Sequence, residues 1–138
     1  MTEVIPFVRA GDYDFGMTVA EVQARLSRND VWYDYRYKDA RLVALTCNID
    51  DVDTLVISGT NVSELNHLDA ALYIASLSKR PGQAQGGSLY FDDLGVAILQ
   101  FESAIREFVF YAKDYDHGEP LRPMTSESIC AYYEEQTS

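Results

Sequence analysis

The sequence predicts an α+β domain: a mostly antiparallel sheet of about five or six strands, with two main helices and a short C-terminal helix gathered largely on one face. Three observations predict it. The stretch "VWYDYRYK" (31–38) alternates in character from residue to residue, as a half-buried strand does. The stretch "MTVAEVQARLSRND" opens on a capping pattern and then repeats apolar residues at helical spacing. The stretch "GVAILQF" is apolar at consecutive positions, as a central strand covered on both faces is.

Taken in order, "VIPFV" (4–8) reads as a short strand that Pro6 pushes toward a sheet edge. In the first helix Thr18 caps and Glu21 reaches back to it, Val19, Val22 and Leu26 form the stripe, and Met17 is the staple before the cap. Asn29 and Asp30 stop it. In the strand that follows, Val31, Tyr33, Tyr35 and Tyr37 share the face expected to pack on the core, and Trp32, Asp34, Arg36 and Lys38 share the other. "RLVALTC" (41–47) and "TLVISG" (54–59) continue it as an antiparallel meander.

A second helix is expected from about Ser63 to Ser78, with Leu65, Leu68, Leu72 and Ala75 on its buried stripe. "KRPGQAQGG" ends that helix with cations, proline and glycines and reads as a mobile loop. "SLYFDDLGVAILQF" gives a strand, an acidic bend and the central strand. "IREFVFYA" (105–112) fits helix and strand alike, and its β-branched and aromatic content favours the strand. "KDYDHGEPLRP" reads as a loop and "TSESICAYYEEQ" as the short closing helix.

The length allows one domain, residues 1–138, with no room for two independent cores. A formal net charge of −11 disfavours nucleic acid and anionic membrane as partners, since both need basic surface. It suits a basic partner, or solubility alone. Two cysteines, Cys47 and Cys130, form no disulfide framework and lack metal-ligand spacing, which fits a reducing cytoplasm. The start "MTEVIPFVRAGDYDF" carries an acid at its third position and a broken apolar run, unlike a secretory signal. The expected location is therefore cytoplasmic.

No constellation for catalysis emerges. His67 and His117 are far apart, without an acid or cysteine at ligand spacing. Cys47, on a strand, reads as a core residue rather than a nucleophile. "NIDDVD" and "DYDHGE" resemble calcium loops only faintly, for neither ends in the required bidentate glutamate. The glycines of "PGQAQGG" follow a helix, the reverse of a phosphate-binding loop. No cofactor and no metal are expected, and the chain is read as non-enzymatic.

What recurs is an acid beside an aromatic ring: "DYDF", "WYDY", "YFDD", "KDYDHGE" and "YYEE". The plain account is that tyrosines fill the core's rim while acids solubilise the surface. The functional account is a converging anionic patch with aromatic anchors, which would draw in a basic protein and hold it by burying rings. Trp32, on the face opposite the tyrosines and beside Asp34, is an exposed anchor if the sheet's other side is open and a covered residue if a helix or the C-terminal segment packs there. Asp92, Asp93, Asp114, Tyr115 and Asp116 complete the candidate contacts.

The segment "GDYDFGMTVAEVQARL" (11–26) resembles a pattern of small bacterial α+β proteins, a short strand followed by Gly-Met-Thr and a helix carrying Glu-Val. "YFDDLGVAILQF" (90–101) resembles a second element of the same group. Proteins with this pair look like immunity proteins, which neutralise a toxin from their own cell or a neighbour. The first element alone is similar to one in small outer-membrane assembly lipoproteins, whose lipid-attachment cysteine has no counterpart near the start of this chain. The resemblance implies a non-catalytic inhibitor whose partner is a cognate toxin or effector, and it carries no site residues with it. Two further expectations stand beside it: an acidic secretion chaperone, which would be a homodimer, and a small-molecule enzyme with a pocket between the sheet and the second helix.

Overall fold

The computed structural model describes residues 2–26, 31–79, 82–85, 88–99, 106–113, 115, 122–124 and 127–131. Its strands are β1 Thr2–Ile5, β2 Arg9–Ala10, β3 Tyr13–Asp14, β4 Trp32–Lys38, β5 Arg41–Asn48, β6 Leu55–Ile57 and β7 Thr60–Asn61. Then follow β8 Gly82–Gln85, β9 Ser88–Phe91, β10 Val96–Leu99, β11 Glu107–Tyr111 and β12 Arg122–Met124. The helices are α1 Val19–Arg25 and α2 His67–Leu77, and a short helical stretch spans 127–131. The α+β class is as expected, but the strands divide between two sheets. One is five-stranded in the order β3-β2-β1-β6-β7, the other seven-stranded in the order β12-β8-β9-β10-β11-β5-β4.

Several expected elements change place as a result. The third strand of the meander, β6, leaves β5 and pairs in parallel with β1. The strand at 4–8 ends at Ile5, because Pro6 enters a turn in which Phe7 has φ 65°. The loop expected after α2 contains β8, which pairs with β9 on one side and β12 on the other. The segment expected as a loop after residue 112 includes β12, while Asn29 and Asp30 lie outside the described residues. The ambiguous segment at 105–112 contributes strand β11.

Local signals that needed no partner hold. Thr18 accepts a hydrogen bond from the Glu21 N–H, and the Glu21 carboxylate accepts one from the Thr18 N–H, closing the capping box. Leu26, expected on the apolar stripe, instead falls at the C-cap and is exposed. Asn66 caps α2 by accepting from the Asp69 N–H at 2.7 Å. In the bend between β9 and β10, Gly95 has φ +66°, and a Cβ there would lie 2.3 Å from the Tyr111 carbonyl oxygen.

Both sheets and both helices share one core. Val4 and Tyr13 of the first sheet, Val22 of α1, and Ala71 and Ile74 of α2 meet Leu45, Phe91, Ile98 and Phe110 of the second. Strand β10 is buried on both faces: Val96 and Ile98 enter that core, while Ala97 joins a smaller cluster on the outer face with Ala44, Val109 and Tyr111.

The main departure concerns β4. Trp32 pairs with Cys47, but the next pair toward the turn is Asp34 with Thr46, so Tyr33 is an extra residue in β4. Val43 is the extra residue in β5, between the pairs Arg36–Ala44 and Tyr37–Leu42. The first bulge resets the alternation. Trp32 is only 5% exposed, its ring edge-on to Phe110 at 5.8 Å, and Tyr35 follows it onto the core face, 5.6 Å from Tyr13. Tyr33 and Tyr37 are exposed. The expected tyrosine stripe therefore does not form, and Trp32 is the covered residue, not the exposed anchor.

Two predictions follow from this packing. Trp32→Ala, which empties an indole-sized volume in the core, is expected to cost about 3–5 kcal/mol of unfolding free energy in chemical denaturation. A loss within the surface range of about 0.5 kcal/mol would put the indole outside the core. The second concerns His67, the first residue of α2, which is 5% exposed. Its pKa lies below the ordinary 6.5, lowered by burial and then by the Arg106 charge, against a smaller opposing effect of Asp50. The unfolded chain therefore takes up the proton first, so stability is full at neutral pH and falls as pH drops from about 6.5 toward the folded pKa. Denaturation midpoints measured at about pH 7.5 and about pH 5.5 should differ in this direction, and His67→Gln should remove most of the difference.

Candidate functional site

Cross-strand pairing lays one row of side chains straight over the outer face of the seven-stranded sheet. Asp34 pairs with Thr46, Thr46 with Val109, Val109 with Ala97, and Ala97 with Tyr90. The row next to it runs Arg36, Ala44, Tyr111. Paired residues share a face, so these rows place small side chains at the centre and large polar ones at the ends. The consequence is a depression with aromatic walls, a groove of about 370 Å³.

Thr46 and Val109 form its floor, and Leu99 closes one end. Tyr33, Tyr90 and Tyr115 supply rings to the lining, and Asp34, Arg36 and Glu107 supply the charges. Tyr33 follows the buried Trp32 onto this side, where the bulge leaves it next to Asp34, and it is 54% exposed. Its hydroxyl donates to the Glu107 carboxylate. Tyr115, just beyond β11, stacks at a tilt on Tyr111 with ring centroids 5.3 Å apart.

Electrostatics in and around the groove are mixed. Arg36 donates to Asp34 at 3.0 Å, and this bond first, then the interaction with Tyr115, raises the guanidinium pKa. Tyr111 donates its hydroxyl to Asp92 at 2.7 Å, and burial followed by Asp92 pushes its pKa upward. Burial, then Tyr115 and Asp92, raises that of Tyr90. These phenols stay neutral over the whole physiological range, so they act as hydroxyl donors and as ring faces.

The candidate contacts thus separate. Asp34 and Tyr115 line the groove, and Asp92 reaches the same side through Tyr111. Asp93 turns toward the end of α2, where it accepts from the Ser78 hydroxyl and from the Lys79 N–H at 2.6 Å. That carboxylate fastens the helix to the β9–β10 bend and is not a spare surface charge. Trp32 is in the core, and Asp114 and Asp116 lie outside the described residues.

Tyr33, Arg36, Tyr90 and Glu107 were not singled out from the sequence. The signal for them was slight: Thr46 is the polar position in an otherwise apolar run, and it marks the face that the groove occupies. Cys47 is fully buried, and burial, assisted by Asp51, pushes its thiol pKa up to about 12, so it remains a protonated core thiol. Between the sheet and α2, where a small-molecule pocket was considered, Ala70, Ala71 and Ile74 are buried in the core. In "NIDDVD", Asp50 accepts from Arg106, which also donates to the Leu65 carbonyl. Among the described residues no group of His, Cys, Asp or Glu is placed to hold a metal ion, and no helix is long and apolar enough to cross a membrane.

Asp93→Lys is expected to lower stability by roughly 1–3 kcal/mol, since it removes the two charge-assisted hydrogen bonds that the Asp93 carboxylate accepts from the Ser78 hydroxyl and the Lys79 N–H. Equilibrium urea unfolding measures it, and a midpoint equal to the parent's would return Asp93 to the pool of surface acids. Comparison with known protein families, with curated proteins and with solved structures finds no match.

Proposed function

We propose that this is an acidic, non-catalytic protein-binding protein that docks its partner on the outer face of the seven-stranded sheet. The observation that carries the reading is the groove, lined by exposed Tyr33 on β4 and, across the sheet, by Tyr90 and Tyr115, over a floor of Thr46 and Val109. Tyrosine gives large contact area with a polar tip and little entropy to lose, which makes it a frequent interface anchor. The formal charge of −11 supports a basic partner, steered in by the long-range field and favoured at low salt. The likeness of residues 11–26 and 90–101 to immunity proteins makes that partner a cognate toxin or effector, held inactive by occlusion.

The test uses the toxin-like or enzymatic proteins encoded beside this chain. Each is co-purified with it, and the activity of any that binds is measured with and without it. The expected result is loss of that activity on binding, and a Tyr33→Ala/Tyr115→Ala variant that keeps its fold but binds at least about 30-fold more weakly, the loss of an anchor worth about 2 kcal/mol. Parent-like affinity in the variant, with its circular dichroism unchanged, sinks this choice of surface.

A further inference from the structure

We infer that the groove is a receptor for a guanidinium group, taking one arginine side chain from a basic protein partner. The inference rests on the docking face proposed above and names what that face recognises. Four observations carry it.

First, the lining combines ring faces with a carboxylate. Tyr33, Tyr90 and Tyr115 offer π surface, and Glu107 stands among them. A guanidinium is planar, stacks on aromatic faces and meets a carboxylate through two parallel N–H donors, whereas an ammonium does neither in the same way. Second, the charges present leave room for a cation. Arg36 is matched by Asp34 at 3.0 Å, while Glu107 is held by a neutral donor, the Tyr33 hydroxyl, so its negative charge stays in the groove. A carboxylate that accepts one hydroxyl retains further acceptor sites. Asp34 and Glu107 are the carboxylates of the lining against one guanidinium, Arg36, and Asp92, bound by Tyr111 on the same side of the sheet, adds to the negative field.

Third, the groove wall already accommodates this chemistry. Arg36 donates to Asp34 at 3.0 Å and lines the groove with Tyr115, and a second guanidinium would meet Glu107 beside Tyr33 in the same arrangement. Fourth, the groove has room for an arginine side chain. At about 370 Å³ and open to solvent, the groove lies at the small end of the roughly 300–1,000 Å³ of ligand pockets. An anionic side chain would face Glu107 and the field of a chain carrying −11.

The probe needs no knowledge of the partner. The full chain is titrated with N-acetyl-arginine amide and, in parallel, with its neutral isostere N-acetyl-citrulline amide and with N-acetyl-lysine amide, followed by NMR. Saturable shifts are expected at Tyr33, Tyr90 and Glu107 with the arginine probe, at least about fivefold weaker binding of the other two, and roughly tenfold weaker arginine binding in Glu107→Gln. Glu107→Gln keeps the shape of the side chain, and Tyr33→Leu, which removes one ring from an exposed position, is a second variant with the same expected direction. No saturable shift, equal binding of citrulline or lysine, or parent-like binding in both variants overturns the assignment.

The two readings fail separately. If groove variants weaken the partner complex but the arginine probe does not bind, the guanidinium receptor falls and the docking face stands. If the probe binds and the complex ignores the same variants, the docking face falls and the receptor stands.

Discussion

One extra residue in β4 decides which side chains this protein hides and which it shows. Without the bulge at Tyr33, the alternation of a regular strand would put Trp32 and Tyr35 on opposite faces of the sheet. With it, Trp32 opposite Cys47 and Tyr35 opposite Leu45 both enter the core, while Asp34 opposite Thr46 and Arg36 opposite Ala44 both leave it. The driving force is the indole. Burying the largest apolar side chain against Phe110 outweighs the loss of regular ladder bonds at one position, and the tyrosine displaced by the bulge keeps its hydroxyl in a polar contact with Glu107.

The groove is the other face of the same constraint. Its floor exists because Thr46 and Val109, paired on adjacent strands, are short, and its walls exist because the ends of those rows are tyrosines and charged residues. The core side of the same strands carries Leu45, Cys47, Ile98 and Phe110, so each strand presents bulk inward and a hollow outward. A surface concavity then follows from side-chain size in register, with no loop needed to build it.

The acidic residues do several distinct jobs. Glu21 closes a helix cap, Asp93 anchors the end of α2, Asp50 holds Arg106 between two turns, and Asp14 pairs with Arg9. Exposed pairs of this kind add little stability each, but every carboxylate still contributes to the field around the molecule. The surplus of charge and the local structural uses are therefore compatible. What distinguishes Glu107 and Asp34 is their position beside rings in a concavity, not their sign.

Much was legible along the chain: the capping box at Thr18 and Glu21, the doubly buried β10, the strand in place of a helix at 107–111, and the short helix near the C-terminus. Each depends on neighbours within a few residues, or on a composition that only one environment tolerates. The partition into two sheets, the strands β8 and β12 within loop-like stretches, and the bulge at Tyr33 were not legible. Those are settled by which strand lies alongside, and β-pairing joins residues far apart in the chain. The amino-acid sequence by itself determined the class of fold and the capped start of α1, because a cap acts locally. Helix α2, however, begins at His67 and not at the expected Ser63, and α1 ends at Arg25 with Leu26 as its cap. Only the tertiary structure decided that Trp32 is core and that Tyr33, Tyr90, Glu107 and Tyr115 share a groove, because a one-residue change of register moves a side chain through the sheet at no cost visible in the sequence.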